Sequence, residues 1–188
     1  MGKQAAQNTT NQITEGVIWK QLLIFFFPIL FGTFFQQLYN TADAIIVGNF
    51  VGKEALASVG GSASTIINLL VGFFVGLSSG ATVIISQYYG ADNRRRVSDS
   101  VHTAIALAIA GGVVIMLIGL VSARFALAAM GTPDDILSLS LTYMKIYYLG
   151  TIPSMIYNMG SSVLRAVGDS RRPLYFLVLC TVVNTVLD

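Results

Sequence analysis

Charge is scarce in this chain. Asp, Glu, Lys and Arg make up 11% of its 188 residues, where a soluble domain carries about 25%. Too few charges remain to cover a water-facing surface. With 54% hydrophobic residues and a mean hydropathy of +0.71, the chain reads as an integral membrane protein. Its one cysteine, Cys180, excludes an intramolecular disulfide and a cysteine metal cluster, and leaves the redox compartment open. Its one histidine, His102, has no second imidazole to pair with. At the start of an apolar span, behind an arginine-rich stretch, it reads as an interfacial residue. There is no phosphate-cradling glycine loop, no Ser/His/Asp set and no zinc-ligand spacing, so nothing points to an enzyme or to a cofactor. The net charge of +2 does not imply a nucleic-acid partner, because the basic residues fall between apolar spans instead of along one stripe.

What the chain does have is a series of long apolar runs. The first covers about 20–43, long enough to cross a hydrocarbon core of about 30 Å at about 1.5 Å per residue. Further runs cover about 56–89, 101–121 and 136–162, and a fifth begins after Pro173 and is still apolar at Asp188. The expected fold is therefore an all-α, polytopic membrane protein with four complete spans and part of a fifth. Residues 1–16 are polar and lack the apolar core and cleavage pattern of a signal peptide. They read as a cytoplasmic tail ahead of one transmembrane domain over 17–188. The bases alternate between connections: Lys3, Lys20, Arg94, Arg95, Arg96, Arg165, Arg171 and Arg172 on one side, Lys53, Arg124 and Lys145 on the other. Positive charge stays inside, so the N-terminus is expected in the cytoplasm.

Two acids interrupt the apolar runs. A carboxylate at mid-membrane costs about 2.5 to 3.5 kcal/mol on insertion scales and marks a functional site by default. Asp43 lies near the outer end of the first span; Asp188 is fifteen residues past Pro173, roughly 22 Å along an ideal helix, which places both in the outer half. Asn184 is one turn before Asp188 and shares its face, so the two offer oxygen ligands to one cation. Gln36, Tyr39, Asn40 and Asp43 form a polar stripe on the first span. Two close carboxylates in low dielectric resist double ionisation, which a proton or Na⁺ relieves. The bland alternatives are a snorkelling Asp43 and an Asp188 that merely ends its helix. Pro28 removes a hydrogen bond inside the first span and favours a kink, static or functional; Pro153 carries the same ambiguity in the fourth. Asn158 either lines the polar cavity or bonds a neighbouring helix. Gly72, Gly76 and Gly80 share one helix face and are expected to let another helix approach closely.

The stretches PILFGTFFQQLYNTADAIIVGNFVGKEALASVG at 28–60, GLSSGATVIISQYYGA at 76–91 and LRAVGDSRRP at 164–173 resemble the N-terminal part of the multidrug and toxic compound extrusion (MATE) family. The resemblance implies a twelve-helix antiporter of two six-helix lobes, of which this chain supplies an incomplete N-terminal lobe. It implies export of cationic or amphipathic organic compounds in exchange for Na⁺ or H⁺ across a bacterial plasma membrane. It also implies a cation site at Asp43, Asn184 and Asp188, with Na⁺ as a possible metal there, a bending role for Pro28, and cavity-lining roles for Gln36, Tyr39 and Asn158. Expected partners are small organic cations, Na⁺ or H⁺, membrane lipid, and the missing C-terminal helices and second lobe. Two rivals stand beside this. One is a lipid-linked saccharide flippase of the same superfamily, which calls for a cavity lined by Arg and Lys. The other is a non-transporting membrane fragment that pairs with a separate second half.

Overall fold

The computed structural model describes residues 17–187; the side chains of Tyr39, Val51 and residues 184–187 lie outside the described set, as do residues 1–16 and Asp188. Among the described residues every regular element is helical: α1 (Ile18–Ile46), a π-helical turn (Val47–Val51), α2 (Lys53–Gly60), α3 (Ser62–Gly90), α4 (Arg94–Ala129), α5 (Asp134–Leu149), α6 (Thr151–Ala166) and α7 (Arg171–Leu187). Apolar sequence in lipid leaves the backbone no water to bond, and an α-helix satisfies its polar groups internally. Among the described residues, three stretches are long and apolar enough to cross a membrane: Ile18–Phe50, Lys53–Gly90 and Arg94–Ala129.

The spans read from the sequence survive with altered boundaries, each for a local reason. The second is two helices, because Gly52 takes φ +114°, a conformation that suits glycine and stops the π-turn, and Gly61 separates α2 from α3. The third is longer than its apolar centre: α4 has 36 residues, roughly 54 Å, so Arg94, Arg95 and Arg96 form its first turn instead of a loop. The Asn93 side chain starts that turn by accepting the Arg96 N–H at 3.2 Å. The fourth breaks at Gly150 between α5 and α6. This explains Pro153, which sits in the first turn of a new helix, where its missing N–H costs nothing. Pro28, by contrast, lies inside α1, which continues through it unbroken. Asp169 begins α7 by accepting the Arg171 and Arg172 N–H groups at 3.1 Å each.

Helices α3 to α6 form one bundle. Its core is built of small residues against methionine and aromatics: Ala63, Ala123, Leu127, Met144 and Tyr148 toward one end, Phe74, Ala104, Ala108, Met155 and Met159 toward the other. The short α2 is held to α5 by the Ser140 hydroxyl, which donates to the Ser58 carbonyl at 3.3 Å. Helix α1 stands apart from the bundle and packs on α7. They come close at Gly32, where an added Cβ would lie 3.4 Å from Leu177. Most of the large apolar side chains of α1, including Phe26, Phe34 and Leu38, are exposed, as suits a lipid-facing surface.

The glycines that permit close packing within the bundle are not those the spacing singled out. A Cβ at Gly72, Gly76 or Gly80 meets no atom within 4 Å, whereas at Gly112 it comes to 3.2 Å from Ile152 and at Gly119 it overlaps the Tyr148 ring. The 72/76/80 face is open in this chain. Gly76→Ala is accordingly expected to leave stability unchanged or raise it by up to about 1 kcal/mol, since glycine weakens a helix interior. Thermal unfolding of the full-length protein in detergent checks this; a marked loss would reveal a further helix seated on that face.

Candidate functional site

Between the α1/α7 pair and the bundle lies a cavity of about 1320 Å³, walled by α1, α3, α6 and α7. Three of these helices contribute a stripe at helical spacing: Gln21, Phe25, Pro28 and Gly32 on α1, and the more polar Ser78, Thr82, Ser86 and Tyr89 on α3 and Ser154, Asn158, Ser161 and Arg165 on α6. Positions three or four apart share a face, so these side chains converge. The hydroxyls satisfy much of their need at home, which is how polar groups persist in an apolar helix: Thr82 donates to the Ser78 carbonyl at 3.0 Å and lies 3.4 Å from the Ser162 carbonyl across the α3/α6 seam.

Gln36 and Asn158 both line the cavity. The Asn158 amide donates to the Ser154 carbonyl at 2.8 Å, so it faces the cavity while bonding its own helix. Pro28 also lines it. Asn40 is off the lining and donates to the Gln37 side chain at 3.3 Å. Asp43 is half-buried and also off the lining: it lies seven residues beyond Gln36, about 10 Å further along α1. There its carboxylate acts electrostatically on the Tyr143 phenol of α5. The structure thus separates two places the sequence merged, a cavity toward the start of α1 and an acid toward its end. The side chains of Tyr39 and Asn184, and all of Asp188, fall outside the described residues. Among those described, no group of three His, Cys, Asp or Glu gathers as for a metal ion. His102 is exposed, with Nδ1 at 2.7 Å from the Ser98 carbonyl.

Sequence reasoning missed Tyr143, Tyr147, Tyr157 and the hydroxyl stripe. The repeat Ser154, Asn158, Ser161, Arg165 is the available signal, since its spacing puts four polar side chains on one face of α6. Cys180 was noted only as a lone thiol, yet it is exposed and lines the cavity. It is expected to react with a charged, water-borne methanethiosulfonate, and to react more slowly when a compound fills the cavity. Peptide mass spectrometry of the labelled full-length protein checks this; an unreactive thiol would place Cys180 against lipid or another helix.

Comparison with known proteins gives the architecture its context. The chain is 32% identical over 174 residues to the probable multidrug resistance protein YpnP of Bacillus subtilis, covering 93% of this chain and 39% of that protein. It is 30% identical over 178 residues to the probable multidrug resistance protein YoeA of the same organism, covering 95% and 38%. A solved structure described as the outward-facing conformation of a multidrug resistance MATE family transporter of the MOP superfamily superposes with a TM-score of 0.85 at 26% identity, over 95% of this chain and 39% of that one. The chain therefore spans under two fifths of the length of these relatives. The family model MatE matches residues 28–188, nearly the whole of the described membrane domain, and this chain belongs to the MatE family.

Proposed function

We propose that this chain is the N-terminal part of a secondary active antiporter that exports cationic or amphipathic organic compounds in exchange for Na⁺ or H⁺. The observation that carries this is the polar and aromatic cavity of about 1320 Å³ within a MatE-family helical lobe, with a half-buried carboxylate beyond its end. Such a cavity holds a flat or flexible amphiphile by ring contacts and hydroxyls without demanding one shape. The carboxylate gives an ion a separate place to bind, and exchange between the two needs only that occupancy of one bias the lobe's conformation. In this reading Asp43, Asn184 and Asp188 form the cation site, with Tyr143 as a neighbour of Asp43. The N-terminus lies in the cytoplasm of a bacterial cell, which puts the start of α1 on the inner side. The remaining helices and the second lobe complete the path.

The test is transport by the full-length protein in proteoliposomes, with a panel of fluorescent amphiphiles of cationic, zwitterionic and anionic charge. Uphill movement of at least one compound under an imposed Na⁺ or proton gradient, abolished when the gradient is collapsed, is expected. No gradient-driven movement of any of them would overturn the proposal.

A further inference from the structure

The cavity is lined by one charged residue among the described ones, and it is a base. Arg165 sits in the last turn of α6, at the end of the cavity where α1 and α7 begin and α3 ends, alongside Ile18, Tyr89 and Ser170. No described carboxylate lines the cavity. The nearest acid in sequence, Asp169, is engaged elsewhere: one oxygen caps α7 and the other pairs with Arg172 at 3.0 Å. No ion pair to Arg165 forms among the described residues. Asp43 lies beyond the far end of the cavity. A guanidinium presented to a cavity walled by apolar and neutral polar groups is the partner an oxyanion needs. Its planar fork meets two oxygens of a phosphate or carboxylate at once, and Arg165 is itself exposed, so the fork is reachable from water.

We propose that Arg165 makes the entrance of this cavity a binding site for the anionic group, phosphate or carboxylate, of an amphipathic molecule whose apolar body lies deeper, against Phe25, Phe74 and Tyr157. The proposal rests on the transport reading for the use of the site, but not for its existence. Of the compounds in that reading it selects amphipathic ones with an anionic head, not the cationic ones, and either a dissolved amphiphile or an anionic lipid supplies such a head. The apolar rings give the body its contact area.

The experiment measures binding of two fluorescent probes of one ring system, 1-naphthyl phosphate and 1-naphthylmethylammonium, to the full-length protein in nanodiscs. The wild type is expected to prefer the phosphate by about 10-fold or more, the ratio that one charge-assisted hydrogen-bond pair confers. Arg165→Gln is expected to lose that preference while still binding the ammonium probe, which shows that it has folded. A wild type that favours the ammonium probe, or a Gln variant that keeps the phosphate preference, overturns the proposal. Phenylglyoxal modification of Arg165 in the unmutated protein gives a reading that does not depend on a variant: naphthyl phosphate is expected to slow it and the ammonium probe not to, and equal rates overturn the site.

Discs of phosphatidylcholine alone and discs with added phosphatidylglycerol separate the sources. A phosphate preference weakened by the anionic lipid assigns the site to lipid headgroups as well; one left intact assigns it to dissolved amphiphiles. Gradient-driven export that ignores both Arg165→Gln and naphthyl phosphate would reject the use of this site in transport and leave the transport reading standing. A phosphate site without any export would do the reverse.

Discussion

Replacing Asp43 by Asn in the full-length protein is expected to lower ion-driven export by about 5- to 150-fold, the range a coupling free energy of about 1–3 kcal/mol spans. Asn keeps the size of the side chain and one acceptor oxygen but holds neither a negative charge nor a titratable proton. Asp43 is half-buried on α1, within electrostatic range of the Tyr143 phenol of α5, on the other side of the seam between the outlying α1/α7 pair and the bundle. Under the proposed function a cation binds there, and with Asn in place there is nothing to neutralise. Because Asp43 is off the cavity lining, probe binding in the cavity is expected to survive the substitution, and membrane levels with it. Export measured at equal protein amount, beside probe affinity, separates the two. Full gradient-driven export by Asp43→Asn would move the coupling to another residue.

The largest effect on stability is expected at Gly119. It is buried in the middle of α4, and a Cβ added there runs into the ring of Tyr148 on α5, itself 5% exposed and part of the core with Leu127 and Met144. The ring has core on its other side, so Gly119→Ala forces the α4/α5 seam apart or drives Tyr148 off its rotamer, an overpacking cost of about 1–3 kcal/mol. Gly119→Val is expected to cost more, since a β-branched side chain has no free space to rotate into. The origin is testable by shrinking the partner: Tyr148→Leu in the Gly119→Ala background is expected to recover part of the loss, a non-additivity of about 0.5–3 kcal/mol for residues in contact. Apparent melting temperatures of the four proteins in one detergent decide it. Strict additivity would show that the two positions do not meet.

Gly119 and Gly76 together show where sequence pattern stops. Both lie in apolar helices, and Gly72, Gly76 and Gly80 carried the more regular spacing, yet it is Gly119 that a neighbour needs small. Spacing says which residues share a face; it does not say what lies opposite. The same holds at the candidate site. The polar stripe of α1 was readable from Gln36 to Asp43, but a stripe on one helix has no depth until other helices are set against it. Packing divides it, with Gln36 on the cavity wall and Asp43 beyond. Arg165 was readable only as one of the bases that orient the chain, and its place on the cavity follows from the helix break at Gly150 that starts α6 anew.

The amino-acid sequence by itself determined that this protein lives in a membrane, that it is helical throughout its apolar runs, and which family's motifs it carries. These follow from composition, from the length of apolar stretches and from the need to bond every backbone group within lipid, all of which are local along the chain. Only the tertiary structure decided which helices form the bundle and which pair stands apart from it. It alone decided which glycines are crowded and which charged side chain faces the cavity. Those are properties of distances between segments far apart in sequence, set by how small and large side chains fit across each seam.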